Sequence, residues 1–218
     1  MLPALLVWMG LTIASTAAWA GGQKEEALAD AVRTALSAAV GRSAPPAPVF
    51  ADQTQQQQFD RWVQTAETRL FKKKPDELVR REFLQTVWYE AKRAGLDPGM
   101  VMGLIEVESG FRKYAISSVG ARGYMQVMPF WTRQIGDGDA SALFHMQTNL
   151  RFGCVILRHY LDLEKGNLFM ALGRYNGSRG RAEYPNMVTA AWRRWKMPDS
   201  SGPTQVVAQA QPGIAWSR

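Results

Sequence analysis

One cysteine, two histidines and no run of alternating β-branched residues set the outer limits of this 218-residue chain. Cys154 by itself cannot close an intramolecular disulfide, so the fold must be held by packing. His145 and His159 are too few and too scattered for a histidine-rich metal site, and neither metal nor cofactor is expected. Without a strand pattern the chain reads as all-α, and no internal repeat is evident. The first twenty residues, MLPALLVWMGLTIASTAAWA, lack any charged side chain. They end in Ala18-Trp19-Ala20, the small-x-small pattern that a signal peptidase reads. The expectation is cleavage near Ala20 and export to the periplasm. A retained anchor is the alternative, because about 18 uncharged residues nearly span a bilayer. No cysteine lies near that point, which argues against lipoprotein processing.

What is present is positive charge and apolar residues. Lys and Arg total 26 against 19 Asp and Glu, a net charge of +7 with a pI near 9.8. Such a balance suits a polyanionic partner: nucleic acid, an anionic membrane surface or an acidic wall polymer. Residues 21–58 are rich in Ala, Pro and Gln: a solvated helix over 23–40, a polyproline-like spacer over 43–50, and QQQQ at 55–58. A single helical domain is expected over 59–197, followed by a disordered tail, 198–218. Within that domain the apolar spacing predicts helices over 59–70, 76–94, 97–109, 149–163, 168–175 and 187–195. Lys72 to Lys74 read as a solvated turn.

Two glutamates stand two positions apart in IEVESGF, 105–111, and helical geometry separates them. Val101, Leu104, Ile105 and Glu108 follow i, i+3, i+4, i+7, which puts Glu108 on the apolar face. Glu106 shares its side with Gly99 and Gly103 and reaches solvent more easily. A carboxylate on a buried face, in the last helical turn, is costly while ionised. That favours the protonated form a general acid needs. Spacing alone is equally compatible with a structural Glu108 paired with Arg112.

The residues that follow carry more. ESGFRKYAISSVGARGYMQVMP, 108–129, resembles the signature of the soluble lytic transglycosylases, glycoside hydrolase family 23. Glu108-Ser109, Ser117, Gly120-Ala121, Gly123, Met125-Gln126 and Met128-Pro129 match E-S … S-x-x-G-A-x-G-L-M-Q-x-M-P, with Tyr124 in place of the usual leucine. The second block, Y-N-A-G, becomes Tyr175-Asn176-Gly177-Ser178. NLRFGCVILRHYL resembles the N-x-x-x-G-x-x-Y-L helix between them, with Gly153 in the glycine place.

The resemblance covers about 80–180 and implies a lysozyme-like, goose-type helical domain acting on peptidoglycan. Glu108 would be the sole acid/base, cleaving the N-acetylmuramic acid–N-acetylglucosamine β-1,4 bond without water to leave 1,6-anhydromuramyl ends. Ser117, Gln126, Met128 and Asn176 would contact the N-acetylated sugars, and Tyr175 would hold the catalytic carboxyl. The implied enzyme is a monomer on glycan strands, needs no cofactor, and serves wall turnover or local opening for a secretion apparatus. A water-using muramidase would want a second carboxylate, Asp137 or Asp139 being nearest in sequence. A non-enzymatic wall-binding protein is the other alternative. Nucleic-acid binding through the GARG loop is disfavoured by the export signal. The basic residues Lys72 to Lys74, Arg151, Arg158, Arg193 and Arg194 are expected to serve attachment to an acidic wall.

Overall fold

The computed structural model describes residues 22–41 and 50–196. The signal segment, nearly all of the proline-rich spacer and the C-terminal tail lie outside the described residues. Among those described, eight α-helices, one 3-10 helix and two isolated β-bridges make an all-α fold. The α-helices are α1 (Asp30–Val40), α2 (Gln53–Leu70), α3 (Glu77–Arg93), α4 (Pro98–Ser109), α5 (Phe130–Ile135), α6 (Met146–Leu163), α7 (Leu168–Asn176) and α8 (Glu183–Trp195), with a 3-10 turn over Ala140–Phe144. No described helix is long and apolar enough to cross a membrane.

The helix α4 is the axis of the core. Asp97 caps it by accepting from Met100 N at 2.8 Å, Pro98 opens it, and Gly110 ends it in the left-handed region. Val101, Leu104 and Ile105 are wholly buried, each stabilising the fold by about 1.5–3 kcal/mol. Its closest neighbour is α8. A Cβ on Gly103 would lie 2.5 Å from Trp192 N, so glycine is what lets the two backbones approach. Asp97 also accepts from Trp192 Nε1 at 2.9 Å, tying the start of α4 to α8.

Several expectations need correction. The segment 22–29 is not helical, and α1 begins only at Asp30. The glutamine run belongs to α2, because Asp52 caps that helix through Gln55 N. Neither α5 nor the 3-10 turn was expected, each being too short to show a full apolar period. Helix α8 starts at Glu183 because Pro185 falls in its first turn, where proline is tolerated.

Lys74 is not solvated. It is buried, donates to the Tyr124 hydroxyl at 2.6 Å, and lies over the rings of Phe83 and Tyr124. Burial and then the charge of Lys113 push its amine down to about 8. Tyr124, where leucine was expected, is a core residue for the same reason. Arg151 is likewise buried and pairs with the wholly buried Glu90 at 3.0 Å. Arg158 pairs with Asp162 and Arg194 with Glu106, so the basic residues named above that are exposed without a described ion pair are Lys72, Lys73 and Arg193.

Candidate active site

Glu108 closes α4 with 2% of its surface exposed. Its Oε1 accepts a 2.5 Å hydrogen bond from the hydroxyl of Tyr184, in the first turn of α8. Burial and then the Glu108 charge push the Tyr184 phenol well above its ordinary range, so it keeps its proton and remains a donor. Tyr175 was expected in that role, and the structure corrects the expectation. Its hydroxyl donates to the Met125 carbonyl at 2.8 Å, though its phenol is raised by burial and then by Glu108. Tyr184 was missed because it stands before the predicted start of its helix, where it reads as loop.

Glu106 points elsewhere. Its Oε1 accepts from Arg194 at 2.9 Å and its Oε2 from the Trp195 indole at 2.6 Å. The carboxylate is thus a tie between α4 and α8.

The loop 115–128 is held by its own polar side chains and by α6. Asn149, 1% exposed, accepts from Met125 N at 2.8 Å and donates to the carbonyls of Arg122 and Leu143. Gly123 is positive in φ, and a Cβ there would meet Leu143 O at 2.5 Å. Gln126 is also left-handed, at φ 48°, a conformation that costs a non-glycine residue about 1–3 kcal/mol. Its amide offsets this by donating to Gly123 O at 2.9 Å and Ala115 O at 3.1 Å. Ser117 Oγ accepts from Ala121 N at 3.0 Å and closes the preceding turn. Met128 is half-buried against the core. Asn176 ends α7, its Nδ2 donating to Ser178 Oγ at 3.1 Å.

Asp137 and Asp139 form a local turn. Asp139 Oδ1 accepts from Ser141 N at 2.7 Å and Ser141 Oγ at 2.6 Å, and these bonds lower its carboxyl's affinity for protons. It caps the 3-10 turn. Among the described residues no cluster of His, Cys, Asp and Glu could hold a metal ion.

A family model of the transglycosylase SLT domain matches residues 85–193. The chain belongs to the SLT domain family. Glu108, Tyr184 and the five expected substrate-site residues (Ser117, Gln126, Met128, Tyr175 and Asn176) fall inside the matched region. Relatives include the membrane-bound lytic murein transglycosylase C of Actinobacillus pleuropneumoniae serotype 5b, 36% identical over 89 residues, 37% of this chain and 24% of that one. That of Haemophilus ducreyi is 30% identical over 153 residues, 62% and 42% of the two chains. A transglycosylase of enterobacteria phage PRD1 is 30% identical over 103 residues, 47% and 37%. Among solved structures, an inactive mutant of the lytic transglycosylase Slt from Pseudomonas aeruginosa aligns with a TM-score of 0.39 at 26% identity, over 50% of this SLT chain and 20% of that one. This chain spans less than half the length of each of these relatives.

Proposed function

We propose that this SLT-domain protein is an exported peptidoglycan lytic transglycosylase, with Glu108 as its only acid/base. The observation that carries the reading is the buried Glu108 carboxyl, held by the Tyr184 phenol, with Tyr175 and the loop carbonyl of Met125 close by. We take the catalytic unit as 59–197, behind a signal segment cleaved near Ala20, and place its action in the periplasm.

In the first step Glu108 gives its proton to the glycosidic oxygen, and the bond from that oxygen to the muramyl anomeric carbon breaks. The carboxylate left behind is stabilised by the Tyr184 hydroxyl. It then accepts the proton of the same sugar's C6 hydroxyl as that oxygen bonds to the anomeric carbon. The product is a 1,6-anhydromuramyl end, the acid is regenerated, and no water is consumed. One carboxyl serves both steps, so the paired carboxylates of ordinary glycosidases are not needed. Of the two alternatives nearest in sequence, Asp137 accepts from Asp139 N at 3.0 Å and Asp139 is engaged in capping. Ser117, Gln126, Met128 and Asn176 contact the N-acetylated sugars in this reading, and Tyr175 lines the same cleft.

The test is mass spectrometry of muropeptides released from purified sacculi in oxygen-18 water. Ends one water lighter than hydrolysed ones, and unlabelled, are expected. Reducing ends carrying the label as the main product would overturn the reading in favour of a muramidase. No release at all would leave a wall-binding protein.

A further inference from the structure

The segment before α1 was expected to be solvated, yet its first described residues enter the site. Gly22 N donates to the Asn176 carbonyl at 3.0 Å. Gln23 is 4% exposed, and its Oε1 accepts from Trp131 Nε1 at 3.0 Å and from Met128 N at 3.3 Å. Its Nε2 is buried near the Tyr175 hydroxyl, without a hydrogen bond of ordinary geometry. The two residues thus adjoin three of the five expected substrate-site residues: Met128, Tyr175 and Asn176. They also lie outside the region that matches the SLT family.

Resting on the proposed reaction, we propose that residues 22–29 are a displaceable strap occupying the substrate cleft, with the Gln23 carboxamide in the place of a substrate acetamido group. The chemistry of the fit is specific. A glutamine side chain ends in the same carbonyl–nitrogen group that an N-acetylated sugar carries at C2. The donors that hold its oxygen, a backbone N–H and an indole N–H, would serve an acetamide oxygen equally well. A sugar acetamide on these donors and Gln23 cannot be present together.

Two further observations distinguish a strap from a fixed wall. Its anchorage outside the cleft is thin, since α1 has no buried residue and Lys24, Glu25, Glu26 and Ala27 are exposed. Leu28 is only partly buried against the core, as are Leu36 and Val40 of α1, and the other ties of the segment are polar: Glu25 with Arg133 at 3.6 Å, Glu26 with Arg174 at 3.2 Å, and Gln134 Nε2 donating to Glu26 O at 3.1 Å. Segments with few buried apolar contacts open at low free energy. The second observation is Gly177, where the family pattern has alanine. A Cβ on this left-handed residue would collide with the Gly22 carbonyl oxygen. The departure from the family pattern therefore makes room for the strap.

A strap closed about nine-tenths of the time raises the apparent KM by roughly ten-fold. Gln23→Ala, shown by circular dichroism to be folded, should lower KM on soluble glycan strands by that factor and leave kcat nearly unchanged. Glu26→Lys, which loosens the strap away from the cleft, should move KM the same way by less. In Glu108→Gln protein, adding chitotetraose should speed amide hydrogen exchange over 22–29. An unchanged or raised KM in Gln23→Ala, or exchange over 22–29 that stays constant or slows with chitotetraose, overturns the strap. A wild-type protein that forms no anhydromuramyl ends instead sinks the proposed reaction, and the exchange measurement still decides the strap.

Discussion

The two glutamates of α4 stand in different surroundings, and the proposed reaction gives them opposite work. Toward α8 the helix presents Gly99, Gly103 and Glu106, and the carboxylate there is satisfied by a guanidinium and an indole. On its apolar side it presents Glu108, buried and joined to the phenol of Tyr184 at the start of that same helix α8. Both oxygens of Glu106 are engaged by side chains of α8, which suits a tie between the two helices. Burial of a carboxyl beside a neutral donor makes its ionised form costly, and the protonated form is the one a general acid needs. Chemistry separates from architecture here within two residues.

The largest expected effect breaks or keeps that contrast directly. Glu108→Gln should lower muropeptide release by ~100- to 10,000-fold, the usual cost of losing a general acid. Glu106→Gln should retain most of the activity. Equal losses in the two folded variants would refute the division of labour. Next in size is Tyr184→Phe, which removes one hydrogen bond to a charged intermediate. Turnover should fall roughly ten- to a hundred-fold, with KM nearly constant, because a bond of this kind contributes on the order of 1.5–3 kcal/mol. Tyr175→Phe, whose hydroxyl serves the Met125 carbonyl, should give a smaller fall in kcat than Tyr184→Phe. The reverse order would restore Tyr175 as the residue that holds the carboxyl.

The α8-facing side was the easier of the two to read from sequence. Asp97-Pro98 and Gly110 mark the ends of α4, and the apolar period between them gives its register. Glycines and Glu106 then fall on one side, and the structure adds only the identity of the neighbour. The cleft side was legible at Glu108 but not at its partner. Tyr175 and Tyr184 stand nine residues apart on different helices, and only the turn between α7 and α8 decides which phenol reaches the carboxyl. Lys74 was misread because a buried lysine and a solvated one look alike when the residue that satisfies it, Tyr124, is fifty positions away. Gln23 was invisible for the same reason. Its Ala-rich, charged surroundings describe a solvated segment, and its partners lie more than a hundred residues downstream.

A third prediction tests the architectural face. Gly103→Ala inserts a methyl group where α4 and α8 meet, so either the helices separate or Trp192 shifts. Overpacking of this kind costs about 1–3 kcal/mol. The urea midpoint should drop accordingly, while kcat per folded molecule stays close to wild type. A selective loss of kcat with unchanged stability would show that the α4–α8 spacing also sets the Tyr184–Glu108 bond.

The smallest effect is that of Glu106 on stability. Its ion pair with Arg194 is partly solvated, the two side chains being 30% and 58% exposed, so most of the Coulomb attraction is offset by hydration and screening. Pairs of this kind contribute about 0.2–1 kcal/mol. Glu106→Gln removes the charge but leaves a carbonyl that can still accept from Trp195 Nε1, so the loss should sit near the bottom of that range. Glu106→Leu removes the acceptor as well and leaves a part-buried indole N–H without its partner, which adds about 1 kcal/mol or more. Urea unfolding at low and high salt separates the two contributions. The difference between wild type and Glu106→Gln should shrink as salt rises, whereas that between Glu106→Gln and Glu106→Leu should persist. If salt abolished both differences, the indole bond would contribute nothing and the carboxylate would act through charge alone. If neither changed with salt, the tie between α4 and α8 would be a hydrogen bond in which the guanidinium has no part.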